Sequence, residues 1–547
     1  MKARVAFTAI SIAVFSLTSI AQVPDRDKVV AGAERAFEKA SKTNTGPAPG
    51  CAVGVALNGQ SIFEKAFGLA EMEHNIPNTA QTIFESGSVA KQFTAGALVL
   101  LQQDGKLNLD DPVRKYIPEL PDYGKPLTIR HMLNHTAGLR DWGAVMALTG
   151  AGRGDRVITM DIALDVMSRQ KSLDFVPGAE YSYSNSGYNL AAIIVERVSK
   201  QKFADFVAER IFKPLGMTKS SWRDDYQRLV PGRAQGYAKA GPTAPWSLNM
   251  PFMNVVGNGG MLTTVGDWLK WNAALDAKTF GESFVTALET QGVLNDGRKI
   301  SYALGLDVGN YKGIKEVTHS GGTAGYQTYL ARFPEKKLSV AALCNGFPPS
   351  AGEIVYSVVD EIFGPFPEST ATVTTVAVTE EQLKKFAGLW KNDVTRNVNP
   401  IALDKGELKI NGTALKPVGE GSFMLGDRKM KFTEGNPSTA VINNTDGSVT
   451  RLTLVNAWTP TATELSELSG DWHSEEAQAT VNFSVEGDKA FIVQRPTTKL
   501  PLRAIYKDAF STQGYAIWVT RDASGKIDKL HVGGSRMRDM TFERLKK

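Results

Sequence analysis

Ser88 and Lys91 stand three residues apart in FESGSVAKQFTAGALVLLQQDG, where Phe93, Ala97, Leu98 and Leu101 recur at helical spacing and Gly105 supplies the stop. Residues three apart share a helical face, so a hydroxyl and an amine can meet there. A serine hydroxyl is a weak nucleophile until a neighbour takes its proton. A lysine can take it only if its pKa, about 10.4 when free, is depressed by burial or by nearby cations. Unpaired N–H groups at the helix start also favour developing negative charge. Alone, the pair has a bland reading too, with Ser88 as a helix cap and Lys91 as a solvated first-turn residue. His131 and His135 have the spacing of a zinc-binding helix, but Met132 stands where a metalloprotease carries glutamate, and no third ligand follows. They read as structural histidines on one helix, and no metal is expected. GNGGMLTTVG does not match a dinucleotide fingerprint, so no cofactor is expected either.

These residues need a frame. From Gly50 to about Gly364, strand-like runs near both ends (CAVGVAL and SIFEKAFG, then QTYLARF and LSVAALC) enclose a helical middle. That order implies an α+β arrangement, an antiparallel sheet flanked by helices with a cleft between the layers. The two cysteines, Cys51 and Cys344, sit in two of those runs. If the runs pair antiparallel, the start of one meets the end of the other and a disulfide is within reach. Free buried thiols are the alternative, and both stay open.

After Phe363, GPFPESTATVTTVAVTEE reads as a surface linker, and beyond it short alternating segments bounded by Gly, Asn and Asp signal antiparallel β structure. This half repeats itself. LKKFAGLWKND at Leu383 recurs as LSELSGDWHSE at Leu465, aligning Gly388 with Gly470 and Trp390 with Trp472, and DKGELKI from Asp404 falls opposite EGDKAFI from Glu486. Two all-β domains of about eighty residues follow, each expected to close into a small barrel because closure removes exposed edges.

The segment around Ser88, together with FVPGAEYSYSNSGYNLAAIIVE and THSGGTAGYQTYLARF, resembles the β-lactamase-related serine hydrolases, which include class C β-lactamases, DD-peptidases, D-aminopeptidases and related esterases. The resemblance covers about residues 45 to 345. It implies Ser88 as the acylated nucleophile with Lys91 as its activator. Tyr183, as a phenolate or through the Lys91 proton network, would relay the proton, and the Asn185 amide would hold Lys91 and the substrate carbonyl. On composition alone Ser184, Asn185 and Ser186 would be helix caps; the order of the motifs reverses that reading. His319-Ser320-Gly321 and Gly322 would form a strand lining the cleft, with His319, Gly321 and Gly322 binding substrate. The N–H groups of Ser88 and Gly322 would make the oxyanion hole.

His319 stands where penicillin-binding enzymes carry the lysine of Lys-Thr-Gly, and a partly charged histidine argues against strong β-lactamase activity. D-Aminopeptidases share the histidine and two barrel domains, from which a loop enters the cleft, so the resemblance implies the same here. Thr136 and Gly138 in LTIRHMLNHTAGL, and Gly259 and Gly260 in VGNGGMLTT, match family loops without assigned chemistry. The expected activity is cleavage of amide or ester bonds in small, D-configured substrates, in the manner of a D-aminopeptidase or D-amino-acid amidase. An esterase, a β-lactamase, a DD-carboxypeptidase and a non-turnover penicillin- or muropeptide-binding sensor are the alternatives.

Lys2 and Arg4, the apolar run Val5 to Leu17 and Ser19-Ile20-Ala21 have the form of a secretory signal cut after Ala21, too short for the about twenty apolar residues of a span. The expected location is the periplasm or outside the cell, without stable membrane insertion. A chain of 547 residues suggests roughly two to four domains. The expected divisions are 1–21 signal, 22–364 hydrolase domain, 365–379 linker, and 380–460 and 461–547 barrels. A net charge of +5 from scattered basic residues lacks the stripe of a nucleic-acid binder. The expected partner is a small molecule or short peptide, and a homodimer is left open.

Overall fold

The computed structural model describes residues 23–44, 46–150, 156–366, 375–495 and 498–545. The signal expected at 1–21 lies outside them, as does most of the expected linker. Among the described residues no helix is long and apolar enough to cross a membrane.

The central sheet has six antiparallel strands: β1 (Cys51–Leu57), β2 (Gln60–Phe67), β3 (Asp307–Tyr311), β4 (Ile314–Thr323), β5 (Tyr326–Phe333) and β6 (Leu338–Cys344). Their spatial order is β3-β4-β5-β6-β1-β2, so the two ends of the domain meet in the middle of the sheet. Every residue of β1 and β6 is buried. Their unbroken apolar runs follow from helices covering both faces. Five helices matter to the site: α1 (Arg26–Lys42), α2 (Lys91–Gln103), α3 (Ser186–Ser199), α4 (Val265–Asp276) and α5 (Ala351–Phe363), of which α1, α4 and α5 pack on the sheet. On one face Val29, Ala33 and Ala36 of α1 and Val355, Val358 and Ile362 of α5 pack on Val53, Val55 and Val340. Helix α4 lies on the other face, where a Cβ at Gly54 would come 3.0 Å from both Val265 and Leu269. Helices α2 and α3 belong to the insert between β2 and β3, and their N-termini open onto one cleft.

Cys51 pairs with Cys344 across β1 and β6, and the two are joined in a disulfide with Cα atoms 4.0 Å apart. Of the two readings open from sequence, the structure holds the bonded one. The bridge closes a separation of 293 residues, which restricts the unfolded chain strongly. Cys51→Ser should therefore lower the unfolding free energy by about 2–4 kcal/mol, measured by guanidinium titration. A midpoint equal to wild type would show that the sheet alone holds those ends.

The repeated C-terminal units start alike. Thr379 and Thr461 each cap a short helix through a reciprocal capping box, with Gln382 and Glu464 respectively. The fully buried Trp390 and Trp472 then donate from Nε1 back to the carbonyls of Phe386 (2.9 Å) and Leu468 (3.1 Å). The units finish differently. Strands from Gly470 to Arg544 form a closed eight-stranded barrel, sealed where Trp472 pairs with Arg544. The first unit is a nine-stranded sheet that curls without joining its terminal strands, Thr413–Ala414 and Lys416–Gly419. The expected barrel is thus nearly closed there, its two end strands one residue apart in the chain but not paired. One end strand is two residues long, and the other carries Pro417, which has no N–H to donate. The Pro417 carbonyl is covered by the Val376 N–H at 3.1 Å.

Candidate active site

The strand Phe84–Glu85 delivers the chain to Ser88. Glu85 is fully buried and accepts from Nε and Nη2 of Arg223, both at 2.9 Å, and from Arg233 at 3.1 Å. Gly87 follows with φ +52°. A Cβ there would meet the Gly322 nitrogen at 2.5 Å, so only glycine lets the turn lie against β4. A 3₁₀ turn, Gly87–Ala90, then runs into α2 and puts Ser88 one turn before Lys91.

Lys91 is fully buried, and Nζ lies 3.0 Å from Ser88 Oγ, 2.9 Å from Asn185 Oδ1 and 2.7 Å from the Asn258 carbonyl. Burial holds its pKa well below the usual lysine range; the Asp141 carboxylate pulls it back up, and the Arg536 guanidinium pushes it further down. The Asn185 amide is oriented by Asp141, whose Oδ2 accepts from Asn185 N (2.8 Å) and Nδ2 (2.9 Å), so Oδ1 faces Lys91. An amide oxygen and a peptide carbonyl can only accept. A neutral lysine spends its two N–H groups on them, and its lone pair is left for the one neighbour with a proton to give, Ser88.

Tyr183 sits against this pair, with Nζ of Lys91 4.9 Å from its ring centroid. Burial pushes its phenol pKa up, and contact with the Ser88 hydroxyl offsets this only in part. Of the two roles implied for Tyr183, the phenolate is thus disfavoured, and relay as a neutral phenol through Lys91 fits. His135 packs on Tyr183 with ring centroids 4.1 Å apart. It is not on the helix of His131, Ile129–Leu133, but beyond its C-cap Asn134 in the left-handed region at φ +59°. The shared-helix expectation is therefore wrong: the helix ends early, and His135 turns inward to accept from the Ser184 N–H at 3.3 Å.

On β4, His319 is 3% exposed. Nδ1 lies 2.5 Å from the Ser320 carbonyl, which can only accept, so Nδ1 carries the proton and Nε2 accepts from the Tyr302 hydroxyl at 2.8 Å. Burial and then the nearby Lys91 lower its pKa to about 3, so at neutral pH it is no cation. The unfolded chain takes up this proton near pH 6.5 and the folded one does not, so stability falls as pH drops from about 6.5 towards 3. From this group alone the unfolding free energy should be about 2 kcal/mol smaller at pH 5 than at pH 7. Urea midpoints of wild type and His319→Gln check this; equal slopes against pH would refute it. Gly321 packs on the nucleophile turn, where a Cβ would lie 2.1 Å from the Ser86 carbonyl, whereas Gly322 faces open space.

The site residues named from sequence are thus brought together: Ser88, Tyr183, Asn185, His319 and Gly322 line one cavity of about 770 Å³, with Lys91 beneath its floor and Gly321 behind its wall. A profile of the Beta-lactamase family matches residues 33–360. The chain belongs to the Beta-lactamase family. Penicillin-binding protein 4* of Bacillus subtilis is 32% identical over 311 residues, 53% of this chain and 66% of that protein. A D-aminopeptidase of Brucella anthropi is 27% identical over 354 residues, 63% of this chain and 64% of the relative. The chain spans less than two thirds of the length of these relatives. Among solved structures, an octameric penicillin-binding protein homologue from Pyrococcus abyssi superposes with a TM-score of 0.55 at 21% identity, covering 94% of this chain and 100% of that one. A D-stereospecific amidohydrolase from Streptomyces sp. gives 0.52 at 23% identity, over 62% of this chain and 99% of its own. At those identities the likeness is one of fold.

In this member of the Beta-lactamase family the closed barrel completes the cleft. Tyr515 and Arg536 line the same cavity as Ser88, and the Arg536 carbonyl accepts from the Asp141 N–H at 2.9 Å. The docking is polar: Arg140 pairs with Glu476 at 2.8 Å, and Arg538 with Glu180 at 2.9 Å. Asp141, the Asn258 carbonyl, Tyr302, Tyr515 and Arg536 were not among the residues expected from sequence. A signal existed for two of them, since Asp141 follows the LTIRHMLNHTAGL segment and Asn258 lies inside VGNGGMLTT.

Proposed function

We propose that this protein is an exported serine hydrolase that cleaves amide or ester bonds of small D-configured substrates through an acyl-enzyme, in the manner of a D-aminopeptidase or D-amino-acid amidase. One observation carries the acyl-transfer reading: a fully buried lysine, 3.0 Å from a half-buried serine hydroxyl, whose other two partners can only accept. Ser88 attacks the carbonyl as Lys91 takes its proton, and Tyr183 passes that proton on to the leaving group. The N–H groups of Ser88 and Gly322 hold the oxyanion, and Asn185 fixes Lys91. Water then releases the acyl group, with Tyr183 and Lys91 now taking its proton.

The D-preference draws on the named activities of the D-aminopeptidase and D-stereospecific amidohydrolase relatives. Export draws on the Lys2 to Ala21 segment, and the Cys51–Cys344 disulfide supports an oxidising compartment. The neutral His319 supports weak β-lactam hydrolysis, because no cation at that position meets a β-lactam carboxylate.

The test is a panel of D- and L-amino-acid p-nitroanilides, short-chain esters and a chromogenic cephalosporin, run with wild type and Ser88→Ala. Turnover of D-configured substrates that vanishes in Ser88→Ala is the expected result. A stoichiometric burst without further turnover would favour a sensor instead, and activity persisting in Ser88→Ala would remove the serine from the chemistry.

A further inference from the structure

We propose that Arg536, at the tip of the closed barrel, is a specificity-determining residue that binds a carboxylate of the substrate, so that a part of the chain outside the hydrolase layer supplies the cation that β4 lacks. The reading rests on the acyl-transfer assignment of Ser88 and adds to it a preference, among otherwise like substrates, for those with a free carboxylate near the scissile bond.

Four observations lead there. First, Arg536 is the one arginine or lysine on the cavity wall among the described residues. Lys91 lies beneath with all its hydrogen-bonding capacity used on Ser88, Asn185 and Asn258. His319 is kept neutral by burial and then by the nearby Lys91, and both its ring nitrogens are already taken, by Ser320 and Tyr302. Second, the Arg536 guanidinium makes no ion pair or hydrogen bond to protein among the described residues, although Arg140, Arg521 and Arg538 nearby on the same interface or barrel are all paired with carboxylates. An exposed but unengaged fork in a polar cavity is available to a planar anion. Third, its place is fixed: its own carbonyl takes the Asp141 N–H, and its guanidinium carbon sits 5.2 Å from the Tyr183 ring centroid. The cation therefore stands one aromatic ring from the nucleophile. Fourth, Ser320 and Thr323 of β4 line the same cavity and offer it hydroxyl donors.

The acidic groups on the wall do not oppose this. Asp141 is already engaged by Asn185 and by the N–H groups of Gly143 and Ala144. Asp307 lies at the Tyr302 side, where burial pushes its carboxyl pKa up and Ser301 donates to it at 3.1 Å.

The test uses the full chain with Arg, Lys or Met at position 536. Binding of N-acetyl-D-alanine is compared with that of N-acetyl-D-alaninamide on the Ser88→Ala background by calorimetry. Acylation of Ser88 by the D-alanyl thioester of mercaptoacetate is compared with acylation by its methyl ester, read by intact mass. The expected result is a carboxylate preference of about 10-fold or more that Arg536→Met removes, Arg536→Lys keeps in part, and raised ionic strength reduces in the unsubstituted protein. No preference at Arg536, or a preference that survives Arg536→Met, would overturn the proposal. A preference seen in binding without any acylation would uphold it while the Ser88 reading fails, so the two failures are distinct.

Discussion

In Lys91→Met, kcat/KM falls by about 10²- to 10⁴-fold, and adding Ser88→Ala to it costs far less than Ser88→Ala costs alone. The first part follows from the partners of Nζ. With the amine gone, the Ser88 proton has no acceptor aimed at it, because Asn185 Oδ1 and the Asn258 carbonyl face the position Nζ has left. The second part follows from the two groups acting in a single proton transfer, which either deletion ends. The working form is the neutral amine. Kcat/KM in wild type should therefore rise with pH through the depressed Lys91 pKa and level off above it, well short of where a free lysine titrates. Stopped-flow acylation rates across pH check both claims. Full additivity of the two substitutions, or a rate that falls as pH rises through that range, would separate Lys91 from the Ser88 proton.

Glu85→Gln should destabilise the protein by about 3–5 kcal/mol. The Glu85 and Arg223 side chains are 0% and 3% exposed, so the substitution leaves a guanidinium without its counter-charge in a place water does not reach. Arg233, at 12%, loses the same partner. Glu85 also ends the strand that places Ser86 and Ser88, so kcat should drop along with stability. Denaturant unfolding and kcat at saturating substrate are the measurements. A change under about 1 kcal/mol would mean that the arginines find water or other acceptors, and that this charge cluster is not what anchors the turn.

What could be read from sequence divides along a physical line. Ser88 and Lys91 were legible because a single helical turn, here 3₁₀ running into α-helix, leaves little freedom in where two side chains point. Tyr183, Asn185 and His319 to Gly322 were legible as ordered motifs, and Trp390 and Trp472 as a repeat. The Asn258 contact was not, because a backbone carbonyl has no side-chain identity to find. Arg536 was not, because its neighbours in the cleft come from another domain and only docking brings them together. His135 misled because periodicity says nothing about a helix that stops at Asn134. The barrel form of both β units was legible from the repeat, but not that the first stops just short of closure, because repeats share their opening segment and not the short, proline-bearing ends that decide whether the last strands can pair.

The strand order of the central sheet bears on how the chain is made. Cys51–Leu57 has Gln60–Phe67 as one neighbour, but its other edge pairs with Leu338–Cys344, which the ribosome adds much later. Until then a hairpin whose first strand is buried on every residue in the finished protein stays half uncovered. Nascent chains of intermediate length should therefore be the aggregation-prone and chaperone-dependent species.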